Sequence, residues 1–112
     1  MSVSHITTHV LDAADGRPAA GIAVQLLARD GDAWTTIAEA VTDADGRATA
    51  LGPERVAPGE YRLRFDTGAY FAANDTPTFY PEALVTFRVE EGHCHVPLLL
   101  SPFAYTTYRG SC

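Results

Sequence analysis

Two histidines stand two residues apart in the stretch HCHVPLLL, and their spacing is the first feature of the chain that suggests chemistry. In an extended strand, residues two apart lie on the same face, so His93 and His95 point to one side. Neutral imidazole is a common metal ligand, and it is also a base with an ordinary pKa near 6.5. The pair therefore indicates either a metal site or a site of proton transfer.

The surrounding residues argue against a metal site. No carboxylate or cysteine on the face shared by His93 and His95 completes a set of ligands. The other two histidines, His5 and His9, also share a strand face, but four strand residues separate them by about 13 Å, too far to hold one ion. The sequence therefore predicts that no metal is bound.

Other polar candidates follow a turn or stand at the end of the sequence. Arg47 comes directly after the turn DADG, and the final stretch YRGS supplies Tyr108, Arg109, Gly110 and Ser111. Taken singly, an arginine after a turn is usually solvated, and final residues are usually disordered. Ser111 also lacks the glycine-bounded elbow of a serine hydrolase, which disfavours a covalent serine mechanism.

The elements that must position these residues are mostly strands. Short runs rich in β-branched and aromatic residues recur about every 8 to 12 residues with turn signals between them, which predicts a mainly antiparallel β-sandwich. Ile6 and Val10 are expected to face the core, with Val3, His5, Thr7, His9 and Leu11 on the opposite side. The predicted strands are 3–11, 22–29, 33–42, a short one after the DADGR turn, 60–66, 83–92, 93–100 and 103–109, with one short helix within 67–75 capped by Thr67.

The strand at 93–100 is apolar on both faces. Val96, Leu98 and Leu100 alternate on the core side, whereas Pro97 and Leu99 follow the histidines on the other side. A small sandwich buries only one face of each sheet, so the second face is predicted to pack on another subunit. The histidine side would then lie near a subunit interface, where binding sites are common.

Composition bounds the class of protein. A chain of 112 residues with 46% hydrophobic residues fits a single domain over 1–112. Its net charge of −6 argues against nucleic acid or an anionic membrane as partner. The first residues lack the pattern of a signal peptide, no stretch is long enough to span a bilayer, and two cysteines make neither a disulfide framework nor a zinc site. We therefore expect a cytoplasmic protein.

Motifs along the chain resemble one known family. The stretches TTHVLD, GRPA, DGR, FYPE and HCHVPLLLSPFAYTTYRGS occur in the order found in 5-hydroxyisourate hydrolases, the transthyretin-related enzymes of purine degradation. The resemblance covers nearly the whole chain. Its most specific part is YRGS at 108–111, which distinguishes the enzymes from transthyretin, the hormone carrier of the same fold. Cys112 extends past that motif.

The resemblance implies a transthyretin-like, two-sheet antiparallel β-sandwich that assembles as a homotetramer, a dimer of dimers. The implied reaction is hydrolysis of 5-hydroxyisourate at an acyl C–N bond, giving 2-oxo-4-hydroxy-4-carboxy-5-ureidoimidazoline in urate degradation, without metal or organic cofactor. The implied catalytic residues are His9, Arg47, His95 and Ser111, and the implied substrate-binding residues are Tyr108, Arg109 and Gly110.

Several alternatives stay open at the level of sequence. A small-ligand carrier without catalysis is the competing function, although two histidines and two arginines suit a hydrophobic aromatic ligand poorly. Either His9 or His95 is the general base, and Ser111 either hydrogen-bonds the substrate or acts as nucleophile. His93 is expected to have a supporting or structural role, and Cys112 has no assigned role.

Overall fold

The computed structural model describes residues 4–112 as a mainly β structure with two sheets and one short helix, which confirms the predicted fold class. Val3, predicted on the outer face of the first strand, lies outside the described residues. The elements are β1 (Ile6–Asp12), β2 (Arg17–Pro18), β3 (Ala23–Asp30), β4 (Ala33–Val41), β5 (Arg47–Ala48), β6 (Gly59–Phe65), α1 (Thr67–Ala73), β7 (Ala83–Val89), β8 (Cys94–Ser101) and β9 (Ala104–Thr107).

The two sheets differ in how their strands are connected. One has the order β2-β1-β8-β9, with β5 also paired to β1, and the other has the order β4-β3-β6-β7. The second sheet is antiparallel throughout. In the first sheet β1 and β8 are parallel, which places Thr7 opposite His95 in the register. This parallel pair joins the beginning of the chain to the strand that carries the predicted histidines.

The core lies between the sheets and follows the alternation of the strands. Ile6 and Val10 are fully buried, as their spacing predicts, and Leu98 lies beside them on β8. Leu63 and Phe65 face them from the other sheet, in the same core cluster. Burying each such side chain contributes about 1.5–3 kcal/mol. Because these residues fix one face of β1 and β8, the alternating residues must point to the opposite face.

The turn at Asp43 to Arg47 is held tightly against β1. The Asp43 carboxylate accepts hydrogen bonds from the backbone N–H groups of Asp45 and Arg47, and Gly46 has a positive φ of 76°. A Cβ at Gly46 would collide with the carbonyl oxygen of Val10, so the close approach also requires glycine. The turn thereby places Arg47 beside β1.

The helix α1 begins one residue earlier than the sequence predicts. Asp66 is its N-cap, and its carboxylate accepts a hydrogen bond from the Ala69 N–H. Thr67, the predicted cap, is buried instead and donates to the carbonyl of Tyr80. Both residue types cap helices well, and the tertiary contact of Thr67 leaves the role to its neighbour. This helix is too short to cross a membrane, and the described part of the chain holds no other.

Cys94 and Cys112 form a disulfide bond, so the prediction that the two cysteines make no disulfide framework was wrong. They are 18 residues apart in sequence, and the final residues fold back along the start of β8 to bring them together. The backbone N–H of His95 donates to the carbonyl of Ser111 at 3.0 Å, which fixes the neighbouring Cys112 beside Cys94. Sequence spacing alone carries no signal of this return.

Candidate active site

Three strands bring His9, Arg47 and His95 to the same face of one sheet. On β1, His9 alternates with the buried Val10 and therefore points away from the core. Arg47 lies opposite His9 in the antiparallel pairing of β1 with β5. His95 lies on β8 opposite Thr7, two residues before His9. Three of the four predicted catalytic residues are thus neighbours in the structure.

The ring of His9 is oriented by the turn that also carries Arg47. Its Nε2 lies 2.9 Å from the carbonyl oxygen of Asp45. A carbonyl oxygen only accepts hydrogen bonds, so Nε2 carries a proton and donates it to this oxygen. In neutral His9 the free lone pair is therefore on Nδ1. Any proton that this histidine takes up must go to Nδ1.

The ring of His95 is held from its other nitrogen. Its Nδ1 is 2.8 Å from Oγ1 of Thr7, and the same Oγ1 is 2.9 Å from Nε2 of His93. The two imidazole rings are stacked with their centroids 6.5 Å apart. The Thr7 hydroxyl thus bonds to both histidines, and Nε2 of His95 takes part in neither bond. Thr7 was not among the predicted site residues, although its place in TTHVLD, two before His9, puts it on the same strand face.

The surroundings of His95 favour its neutral form. Burial lowers the pKa of its imidazole, and the nearby Arg47, His93 and His9 lower it further. Both effects act in the same direction because low polarity and positive neighbours disfavour an imidazolium. At neutral pH, His95 is therefore suited to accept a proton.

The residues at 110–111 are attached to His95 through their backbone. The N–H of Gly110 donates to the carbonyl of His95 at 3.1 Å, and the N–H of His95 donates to the carbonyl of Ser111. A Cβ at position 110 would lie 2.7 Å from that His95 carbonyl oxygen and 3.2 Å from Cδ2 of its ring. Glycine is thus required here by close approach. The YRGS stretch therefore ends against His95.

Tyr108 and Arg109 are not brought to the three catalytic candidates. They line a cavity of about 800 Å³, together with Val85 and Phe87 on β7 and the disulfide. His9, Arg47 and His95 do not line this cavity. Ser111 contributes its backbone carbonyl to His95, while its side chain is exposed. One chain therefore gathers the histidines and Arg47 but leaves the predicted substrate-binding side chains apart from them.

The described residues hold no group of three or more His, Cys, Asp or Glu side chains arranged to bind a metal ion. His5 faces a different environment from His9, because it is buried and its Nδ1 accepts a hydrogen bond from the backbone N–H of Val56. The site at His9 and His95 consequently consists of two imidazoles, a guanidinium and a threonine hydroxyl, a set suited to proton transfer and carbonyl polarisation.

The fold and this site define a class of protein. Residues 6–110 match the model of the HIUase/Transthyretin family, and the chain belongs to that family. It is 47% identical to the 5-hydroxyisourate hydrolase of Caulobacter vibrioides over 97% of this chain and 100% of that protein. The predicted family is thereby confirmed.

Solved structures of both branches of the family resemble the chain. The structure of 5-hydroxyisourate hydrolase from Klebsiella pneumoniae matches with a TM-score of 0.85 and 37% identity, covering 95% of this chain and 98% of that one. Sea bream transthyretin in complex with thyroxine matches with a TM-score of 0.90 and 38% identity, covering 96% and 95%. The fold is thus common to both activities, and the side chains of the site must separate them.

Proposed function

We propose that this chain is a hydrolase that converts 5-hydroxyisourate to 2-oxo-4-hydroxy-4-carboxy-5-ureidoimidazoline, a step of urate degradation. The observation that carries the proposal is the grouping of His9, Arg47 and His95 on one sheet face. The many relatives named 5-hydroxyisourate hydrolase, at 40–47% identity over nearly the whole chain, support it. No metal or organic cofactor enters the proposed reaction.

The reaction needs a base for water and a positive group at the developing oxyanion. We assign the base to His95, because the pKa of its imidazole is lowered and its Nε2 is free of the bond to Thr7. Water transfers a proton to Nε2 while its oxygen attacks the acyl carbon of the substrate. Arg47 supplies the positive charge that stabilises the oxyanion. Collapse of the oxyanion then breaks the C–N bond.

The leaving nitrogen must receive a proton for the reaction to balance. The imidazolium of His95 returns the proton it took from water, so the net change is the addition of water across the C–N bond. His9 lies beside Arg47 with Nδ1 as its available nitrogen. We assign His9 to holding the water or the ring through Nδ1. This division of roles leaves Ser111 as a hydrogen-bond partner of the substrate rather than a nucleophile.

The separation of Tyr108 and Arg109 from the histidines supports an oligomeric site. Within one chain these side chains line a cavity that His9 and His95 do not line. A homotetramer built as a dimer of dimers would let Arg109 and Tyr108 of one subunit approach the histidines of another. Planar donors of arginine suit a flat ring with several carbonyl oxygens. We therefore propose that the complete site forms between subunits.

An ultraviolet assay tests the function directly. Uricase generates 5-hydroxyisourate from urate, and the purified chain is expected to accelerate the decay of its absorbance. His9→Ala and His95→Ala should each lower kcat by at least about 100-fold, the usual contribution of a general base or acid. A chain that leaves the decay unchanged, or variants as active as the native chain, would refute the proposal.

A transthyretin-like carrier is the alternative, and the match to the thyroxine complex is the observation in its favour. Two imidazoles and a guanidinium on the sheet face make that face polar, which suits a carbonyl-rich ring better than a hydrophobic hormone. Calorimetric titration with thyroxine separates the two. Micromolar binding without any acceleration of 5-hydroxyisourate decay would establish the carrier.

A further inference from the structure

We propose that Thr7 and His93 determine which nitrogen of His95 carries the proton, and that both are positioning residues for the reaction. The inference rests on the proposed function, because it explains how His95 is kept ready to act as a base. It assigns a role to a threonine that the sequence motif did not single out, and to the histidine that had only a supporting role.

Within residues 4–112, the hydroxyl of Thr7 has no hydrogen-bond partner on the backbone. Thr7 is only 3% exposed, and its hydroxyl lies within hydrogen-bond distance of Nδ1 of His95 and Nε2 of His93. The adjacent Thr8 points into the core and donates to the carbonyl of Val96 at 2.6 Å. Thr8 is thus satisfied by the backbone, whereas the buried hydroxyl of Thr7 depends on the two rings.

A hydroxyl has one proton to donate, so the bridge has a direction. In one direction, Nδ1–H of His95 donates to Thr7, and Thr7 donates to an unprotonated Nε2 of His93. In the other direction, Nε2–H of His93 donates to Thr7, and Thr7 donates to Nδ1 of His95. Neutral His95 then has its lone pair on Nε2 in the first case and a proton on Nε2 in the second.

Only the first direction makes His95 a base on its free nitrogen. Nε2 accepts the proton of water, and the resulting imidazolium keeps donating through Nδ1 to Thr7. For this direction His93 must be neutral and must accept at Nε2. His93 is an exposed residue, and its other nitrogen, Nδ1, holds the proton in this state. Protonation of His93 at Nε2 would favour the reversed bridge and withdraw the base.

The charged and titratable neighbours are consistent with this direction. Arg47 approaches His95 from β5, His9 from β1, and His93 precedes it on β8, and all three disfavour a positive charge on its ring. His95 is therefore neutral at rest, and the bridge through Thr7 selects its tautomer. The Thr7 hydroxyl orients the base in the same way that the carboxylate of a catalytic triad orients its histidine.

Thr7→Val removes the bridge while keeping the shape of the side chain. We expect kcat to fall by about 10–100-fold, the range seen when a group that orients a metal-bound histidine is lost, with KM little changed. Thr7→Ser keeps a hydroxyl and should restore most of the rate. Thr8→Val is the matched control, since it removes a buried hydroxyl from the same strand on the core side, and its kcat should equal that of the native chain.

His93→Phe removes the acceptor while retaining a flat ring. Thr7 can then turn its proton toward Nδ1 of His95, so kcat should fall as in Thr7→Val. His93 is one of the groups that lower the pKa of His95, so the acid limb of the kcat/KM profile should also move to higher pH. The loss of His93 as a positive neighbour moves this limb whatever its role, so the tautomer of His95 is the readout that a purely structural role would leave unchanged.

Nitrogen-15 NMR of the native chain measures the tautomer without any substrate. Long-range couplings between ring protons and nitrogens should show His95 protonated at Nδ1, and Thr7→Val should shift it toward protonation at Nε2. Native His95 protonated at Nε2, or Thr7→Val with native kcat and native signals, would overturn the inference. If the chain has no hydrolase activity, the proposed function fails, and a shift confined to Thr7→Val and His93→Phe would still establish control of the tautomer.

Discussion

At the scale of single residues, the chemistry depends on imidazoles whose two nitrogens have separate tasks. His9 donates through Nε2 to the carbonyl of Asp45, and His95 bonds through Nδ1 to Thr7. Each ring therefore offers one defined nitrogen to the site. Fixing the ring in this way removes the wrong tautomer and the wrong rotamer before the substrate arrives, which is a contribution to preorganisation.

The lowered pKa of His95 predicts the pH dependence of activity. The base works when neutral, so kcat/KM should be constant above its pKa and fall as the pH drops through it. Because burial and positive neighbours lower this pKa below the ordinary value of about 6.5, the fall should be centred below that value. Stopped-flow measurement of kcat/KM across the acid range checks this, and a midpoint above that of free histidine would contradict it.

At the scale of elements, the decisive feature is that the end of the YRGS stretch runs along the start of β8. Backbone hydrogen bonds join Gly110 and Ser111 to His95, and the disulfide closes the arrangement at Cys94 and Cys112. The stretch and the base are thereby placed as one unit. A change in the backbone of this stretch should therefore change the position of His95.

Gly110→Ala tests that connection. The added Cβ would lie 2.7 Å from the His95 carbonyl oxygen, so the stretch must move away from β8 and activity should fall by roughly tenfold or more, as expected when a base is misplaced by about 1 Å. Gly59→Ala is the control, because a Cβ there meets nothing within 4 Å. Circular dichroism should show that both variants stay folded. Full activity in Gly110→Ala would show that the position of the YRGS stretch does not affect the site.

Loss of the disulfide tests what holds the stretch in place. The bond closes a loop of 18 residues, and for loops of this size the chain-entropy account gives about 3 kcal/mol of stabilisation. Reductant should therefore lower the melting temperature and the activity of the native chain. Cys112→Ser should have the lower melting temperature already and should not respond to reductant. A native chain indifferent to reductant would show that the hydrogen bonds suffice.

At the scale of the whole molecule, the outer face of the first sheet carries partly buried apolar residues beside the histidines. Leu11 and Leu99 lie opposite each other on β1 and β8, away from the core, and both are only partly buried. The histidines and Arg47 are on this same face. Association through it would cover the apolar residues and bring a second subunit to the site, as the proposed dimer of dimers requires.

Leu99→Arg tests the assembly. A charge at this position should dissociate the proposed tetramer into smaller species that keep the β-sheet circular dichroism spectrum, because burying an unpaired charge in an interface costs several kcal/mol. Activity should fall with the loss of the shared site. Ile37→Arg on β4, where the native side chain is 40% exposed, is the control and should stay tetrameric. Sedimentation velocity distinguishes the species, and a tetrameric Leu99→Arg would place the interface elsewhere.

The predicted cytoplasmic location and the disulfide bond call for different redox environments. Disulfides are rare in the reducing cytosol, where Cys94 and Cys112 would be held as thiols. Alkylation of the thiols in intact cells, followed by mass spectrometry, measures which form exists. The location stays a prediction from the sequence.

The fold followed closely from local patterns in the sequence. Alternation in β1 identified Ile6 and Val10 as core, because the side-chain period depends on neighbouring residues alone. The cap of α1 was misplaced by one residue, since Asp66 and Thr67 are both good caps and a contact with Tyr80 decides between them.

The sequence by itself determined the strands, the core face and the residue types available for chemistry, because these depend on periodicity and on functional groups. Only the tertiary structure decided that β1 and β8 are parallel neighbours, that Thr7 therefore joins His93 to His95, and that Cys112 returns to Cys94. These contacts join residues far apart in the chain. Their formation depends on how the sheets pack as a whole, which no local pattern encodes.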